Sequence, residues 1–241
     1  MSAPLRAPAS LKAVLFDAGN TLIYLDHERL AAEVGAALGV PLTAAALDRS
    51  VGAATSAVEG ARGVAAGRTD QERARAYLEA LFTGAGVPPA RMDEVARTLR
   101  RLHEEWHLWC RTMPGTTEAL DRLRAAGLRL GIVSNSDGRV QEALTAAGIR
   151  DRFEVVLDSA LVGMEKPDPA IFRAALAALG VAPEEALYVG DLYEVDVVGA
   201  RAAGIEAILL LPDAAAAPGP ECRRVESLVA LADDLLSGGR S

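Results

Sequence analysis

The sequence predicts an alternating α/β fold, a parallel sheet covered on both faces, with a smaller all-helical block inserted into it. Two observations carry this expectation. Short apolar runs of strand length recur at residues 13–16, 128–133, 153–157, 186–189 and 207–211, and helix-length segments separate most of them. Between residues 27 and 112 the apolar strand runs stop and only helical patterns remain.

The elements follow in order. Residues 13–16 (Ala-Val-Leu-Phe) are apolar at every position, as a strand buried on both faces must be. Helical patterns then cover residues 30–38, 44–58, 71–82 and 90–109, with a loop at 60–68. The last pattern places Val95, Leu99, Leu102, Trp106 and Trp109 three or four residues apart, on one helix face. Beyond it, helices are expected at 116–126, 137–147, 169–179 and 196–203, each followed by a glycine (Gly127, Gly148, Gly180, Gly204) that suits a helix stop. Residues 213–220 read as an Ala/Pro/Gly linker, and 228–236 as a final helix on the outside of the sheet. These patterns divide the chain into a core of residues 1–26 and 113–241 and a helical insert of residues 27–112.

The chain has 241 residues, enough for one large domain or two modest ones. With 51% hydrophobic but only 4% aromatic residues, the core is expected to be aliphatic. A net charge of −8 argues against nucleic acid, which is bound by neutralising phosphates, but leaves room for a small anionic substrate. Cys110 and Cys222 form no CxxC and no disulfide framework, so reduced thiols and a cytoplasmic setting are expected. The start lacks the apolar run of a signal peptide, and no stretch approaches the roughly 20 apolar residues of a membrane span.

Four short segments carry the chemistry: Phe16-Asp17-Ala18-Gly19-Asn20-Thr21-Leu22, Val133-Ser134-Asn135, Lys166-Pro167, and Gly190-Asp191 with Asp196. The first, second and fourth follow apolar runs, so they fall at strand ends, where open parallel sheets bind ligands. An aspartate there can attack phosphorus. Ser134 offers a hydroxyl and backbone amides to phosphate oxygens, and Lys166 a balancing cation. Asp17, Asp191 and Asp196 form a carboxylate set suited to Mg²⁺. Each segment alone reads as an ordinary turn or helix cap; their joint order and spacing make the signal.

From about residue 12 to 236 the chain resembles the haloacid dehalogenase-like superfamily, with the helical insert matching the cap placed after that family's first motif. The resemblance implies a Rossmann-like core, a cap that closes over the site, and Mg²⁺-dependent hydrolysis of a small phosphorylated metabolite. It implies Asp17 as nucleophile, with Ser134 and Lys166 as catalytic stabilisers. Phosphate contacts are expected from Thr21, Ser134, Asn135 and Lys166, and metal ligands from Asp17, the Gly19 carbonyl, Asp191 and Asp196.

One position departs from the pattern. Family phosphatases carry an aspartate two residues after the nucleophile, which protonates the leaving oxygen and then activates water; this chain has Gly19. Metal binding through the backbone should survive, and proton transfer should be impaired, with the loss falling on alkyl phosphates more than on aryl or acyl phosphates. Asp26 and His27 are candidate substitutes, each with a bland alternative as a helix cap or a surface residue. The same departure raises two rival readings: a 2-haloacid dehalogenase, whose halide needs no proton, and a non-catalytic member that binds a phosphorylated ligand. The retained Asp191 and Asp196 favour the phosphatase. Finally, His103-Glu104-Glu105-Trp106-His107 fits HExxH, but with no third ligand following it on a helix within the insert, it reads as a chance match.

Overall fold

The computed structural model describes residues 10–59, 69–211 and 222–237. The expected loop at 60–68, with Arg62 and Arg68, and the expected linker at 213–220 lie outside the described residues. The chain divides into two compact units, one of Met1–Tyr24 with Thr112–Ser241 and one of Leu25–Arg111.

The first unit is built on a six-stranded sheet: β1 (Ala13–Phe16), β4 (Arg129–Ser134), β5 (Val155–Asp158), β6 (Ala186–Gly190), β7 (Glu206–Leu210) and β8 (Arg223–Val225). Their spatial order is β5-β4-β1-β6-β7-β8, with every pair parallel. This is the expected Rossmann-like parallel sheet. β1 lies at its centre with all four residues fully buried, which is why its sequence shows no polar alternation. From β1 the chain builds outward through β4 to β5, then returns to β6 on the other side. The order therefore reverses between β1 and β6, the position at which open α/β sheets form a ligand crevice.

Five helices flank this sheet or link its strands: α5 (Thr116–Ala125), α6 (Val140–Ala146), α7 (Ser159–Val162), α8 (Pro169–Leu179) and α9 (Val198–Ala202), followed by α10 (Leu228–Ser237). On one face Leu15, Val133 and Tyr188 pack with Ile171, Phe172, Ala175 and Leu179 of α8 and with Ala200 of α9. Asp158 and Asp168 cap the starts of α7 and α8 through their side chains. Asp168 accepts the Ala170 N–H at 2.8 Å, with Pro169 at the first helical position, where its missing N–H has no cost. Three elements depart from the sequence expectation. α7 and β8 are too short for periodicity to reveal, and residues 193–197 form a single wide π-type turn before α9 in place of one helix over 196–203.

The second unit contains α1 (His27–Leu38), α2 (Ala44–Glu59), α3 (Asp70–Gly84) and α4 (Met92–Glu105). Its core is Leu30, Val34, Leu47, Ala54, Leu81, Phe82, Val95, Leu99 and Leu102, all buried. Thr69 and Glu72 form a reciprocal capping box at the start of α3. The Arg91 guanidinium ties the end of α1 to α4, donating to the Leu38 carbonyl at 3.0 Å and to both oxygens of Glu94. α4 is shorter than the expected helix over 90–109. Trp106 adopts extended dihedrals, and Trp109–Arg111 forms β3, which pairs with β2 (Tyr24–Leu25). Ladder pairing with β2 overrides the helical spacing of Trp106 and Trp109 there. His103 and His107 consequently do not share a helix, so the HExxH match lacks its helical context, although the two rings lie 4.7 Å apart.

Candidate active site

The site is built at the carboxyl ends of β1, β4 and β6. Register places Phe16 beside Ile132 on one side and Val189 on the other, so Asp17 emerges level with the ends of both neighbours. Its N–H still donates to the Val189 carbonyl at 2.8 Å, which holds the backbone in line with the sheet. The chain then folds into a tight turn. Leu22 and Ile23 both donate to the Ala18 carbonyl at 2.9 Å, and Asn20 sits in the left-handed region at φ 57°. Gly19 bridges Ile23 in parallel fashion, through the Ala18 carbonyl and the Asn20 N–H; neither bond uses the Gly19 carbonyl.

Asp17 is 7% exposed, and both its oxygens are engaged: Lys166 Nζ donates to Oδ1 at 2.6 Å and the Thr21 hydroxyl to Oδ2 at 3.2 Å. Lys166 arrives on the loop before α8. Its backbone is clamped by Asn135, whose Oδ1 accepts the Lys166 N–H at 2.8 Å and whose Nδ2 donates to the Lys166 carbonyl at 3.0 Å. The Lys166 ammonium has three donors and three acceptors here: Asp17 Oδ1, Asp196 Oδ1 at 2.8 Å and the Tyr188 hydroxyl at 3.1 Å.

Asp196, 1% exposed, is fixed on every side. Besides Lys166, its Oδ1 lies 2.9 Å from the Tyr188 hydroxyl, and its Oδ2 accepts the Leu192 N–H at 3.0 Å. Gly190 makes room for this carboxyl, since a Cβ at that position would lie 2.3 Å from Asp196 Cγ. Gly199 does the same for the Lys166-Pro167 loop, where a Cβ would fall 2.8 Å from the Pro167 carbonyl oxygen. Asp191 is 7% exposed and Ser134 4% exposed, each at the end of its strand.

The electrostatics follow from burial. Desolvation pushes the Asp17 carboxyl up; Lys166 pulls it back, Asp196 pushes it up again, and it settles at about 6. Burial likewise raises Asp191 well above the usual carboxylate range, reinforced by Asp17 and Asp196. Burial alone would depress Lys166, but the carboxylates of Asp17 and Asp196 outweigh it, so its pKa is raised and the ammonium stays charged. Three carboxylates against one ammonium leave the ionised cluster short of positive charge by two.

The structure therefore brings Asp17, Thr21, Ser134, Asn135, Lys166, Asp191 and Asp196 to one end of one sheet. The three N–H groups of the Lys166 ammonium are directed at Asp17, Asp196 and Tyr188. Asn135 clamps the Lys166 backbone, and the Thr21 hydroxyl donates to Asp17. Asp196 contacts Lys166, Tyr188 and the Leu192 amide. Among the described residues, the carboxylates of Asp17, Asp191 and Asp196 do not all close to within 4.8 Å of one another.

Two contributors were not legible as motif residues. Tyr188 sits three residues before Asp191 in what reads as a plain apolar strand. Asp158 is 2% exposed and accepts the N–H groups of Gly138 at 3.0 Å and of Ala160 and Val140 at 3.1 Å, shaping the loop that follows Ser134. Asp158 ends its strand in register with Ser134 across β4 and β5.

A family model described as haloacid dehalogenase-like hydrolase matches residues 11–204. The chain belongs to this family. It is 38% identical over 149 residues to haloacid dehalogenase-like hydrolase domain-containing protein 3 of Mus musculus, covering 61% of this chain and 59% of that protein. It is 42% identical over 137 residues to a phosphoserine phosphatase of Thermus thermophilus, covering 56% of this chain and 53% of that protein. The chain thus spans little more than half the length of these curated relatives. Among solved structures, a phosphatase of the same superfamily from Thermococcus onnurineus shares 25% identity and a TM-score of 0.58, covering 96% of this chain and 100% of that one.

Proposed function

We propose that this chain hydrolyses small phosphate esters and anhydrides by way of an aspartyl phosphate on Asp17. The observation that carries the reading is the Asp17 carboxylate itself: buried at the sheet's switch point, with a charged Lys166 on one oxygen and the Thr21 hydroxyl on the other. In the first step an Asp17 oxygen forms a bond to phosphorus, and the bond from phosphorus to the leaving oxygen breaks. In the second, water attacks phosphorus and the bond to Asp17 breaks, restoring the carboxylate and releasing inorganic phosphate.

The residues fit a Mg²⁺ ion by the chemistry of their donors. Asp17, Asp191 and the Gly19 carbonyl offer hard oxygen atoms, and the cluster lacks positive charge. These three groups would hold the ion, with water completing its shell; when bound, it supplies charge neutralisation for the phosphoryl oxygens. Lys166 holds Asp17 ionised and aimed, and Ser134, at the end of β4, is the phosphate contact.

Gly19 sets the substrate class. With no side chain there to protonate a leaving oxygen, esters and anhydrides with acidic leaving groups are favoured, since general acid–base assistance is typically worth about 10²–10⁴-fold. The test compares acetyl phosphate, p-nitrophenyl phosphate and glycerol phosphate with Mg²⁺ and with EDTA. Mg²⁺-dependent turnover of the first two, weak with the third and abolished by Asp17→Asn, is the expected result. Release of chloride from 2-chloropropionate in EDTA, with no phosphate released, would replace this reading with dehalogenation.

A further inference from the structure

We propose that Tyr188 is a positioning residue for this reaction, fixing Lys166 and, through it, the attacking oxygen of Asp17; the kinetic part of the claim rests on the phosphatase reading above. Lysine is a poor positioner by itself, because its long stem has many rotamers to lose and its ammonium is a point charge without a preferred direction. Between two carboxylates alone, the Lys166 ammonium would be free to swing toward either. The Tyr188 hydroxyl supplies the third acceptor, 3.1 Å from Nζ, and closes that freedom.

The tyrosine is itself held rigidly. It is fully buried, and its ring meets Phe172 edge-on with centroids 4.9 Å apart and planes at 74°. Its hydroxyl lies 2.9 Å from Asp196 Oδ1 and 3.2 Å from the Val133 carbonyl, which share its single proton. Val133 directly precedes Ser134. One hydroxyl thereby ties together the ends of β4 and β6, the Asp196 carboxyl and the Lys166 ammonium. Phenylalanine could fill the same volume, so packing does not explain the oxygen.

The test is Tyr188→Phe, which keeps the ring and its contact with Phe172. With p-nitrophenyl phosphate and Mg²⁺, the rate constant of nitrophenolate release in the first turnover should fall about tenfold, the effect of losing one hydrogen bond to a charged group, while the substrate concentration that half-saturates it changes less than about twofold. In parallel, the urea midpoint is measured in a cycle with Lys166→Met. Removing the hydroxyl should lower the midpoint clearly in the native background and by less than half as much when Lys166 is gone. Additive midpoint shifts, an unchanged first-turnover rate constant, a rise in its half-saturating concentration matching the fall in that constant, or failure of Tyr188→Phe to fold would each overturn the proposal. If the native protein turns over no phosphate ester, the phosphatase reading fails, and the midpoint cycle alone decides whether Tyr188 positions Lys166.

Discussion

Adding Mg²⁺ to the metal-free protein should raise its melting temperature, by an amount that the buried charges set. Moving the Asp17 carboxyl from 3.8 to about 6 corresponds to about 3 kcal/mol unfavourable to the folded, ionised state, at about 1.4 kcal/mol per unit. Asp191 is displaced in the same direction for the same reason. Because the folded protein binds the Asp17 proton more tightly than the unfolded chain, this group's contribution to stability falls as pH rises from 3.8 to about 6, and stays low above that. A divalent cation at a hundred times its dissociation constant returns about 2.7 kcal/mol, or about 5–10 °C for a chain of this size. The assay is a thermal melt in EDTA and in Mg²⁺, at pH 5 and pH 7. The metal-free melting temperature should be lower at pH 7 from this cluster, and the gain from Mg²⁺ larger there. Asp191→Asn should raise the metal-free value at pH 7 and abolish the gain. A variant that melts lower in EDTA and keeps the full response to Mg²⁺ would refute the charge argument.

Other outcomes follow from single contacts. Gly19→Asp should raise turnover of glycerol phosphate at least tenfold more than that of p-nitrophenyl phosphate, because the alkoxide needs a proton to leave and nitrophenolate does not; unchanged turnover of both substrates would show that the missing acid does not limit the rate. Gly190→Ala should displace the Asp196 carboxyl, destabilising the fold by about 1–3 kcal/mol and removing most activity; a native melting temperature would contradict the packing argument. Asp158→Ala orphans three backbone N–H groups and should cost about 3 kcal/mol, read as a lower urea midpoint with KM raised through the Ser134 loop.

The sheet was legible because its strands are buried on both faces, so continuous apolar runs mark them without ambiguity. Their ends could be read to within a residue or two, which sufficed to put Asp17, Ser134 and Asp191 at one edge. The short elements were not legible. α7, β2 and β8 have too few residues to show a period, and β3 carries Trp109 at a spacing that continues the helical pattern of α4. Within the site, sequence motifs select which residues gather but not which partner each takes. Asn135 could have faced a phosphate; its amide instead matches the Lys166 peptide, donor to acceptor and acceptor to donor. The roles of Tyr188 and Asp158 depend on register across strands, which spacing along one strand does not encode.

The most direct test of Asp17 as nucleophile, with Gly19 in place of the usual acid–base residue, is rapid mixing of p-nitrophenyl phosphate with the Mg²⁺-loaded protein. Attack by Asp17 needs no protonation of a nitrophenolate leaving group, whereas the second step has no side chain at position 19 to activate water. Nitrophenolate should therefore appear in a burst equal to the protein concentration, followed by slow turnover. The phosphoryl group should be recovered on the peptide carrying Asp17, and both signals should vanish in Asp17→Asn. A burst that survives Asp17→Asn, or turnover with no phosphoryl group ever found on that peptide, would contradict the account.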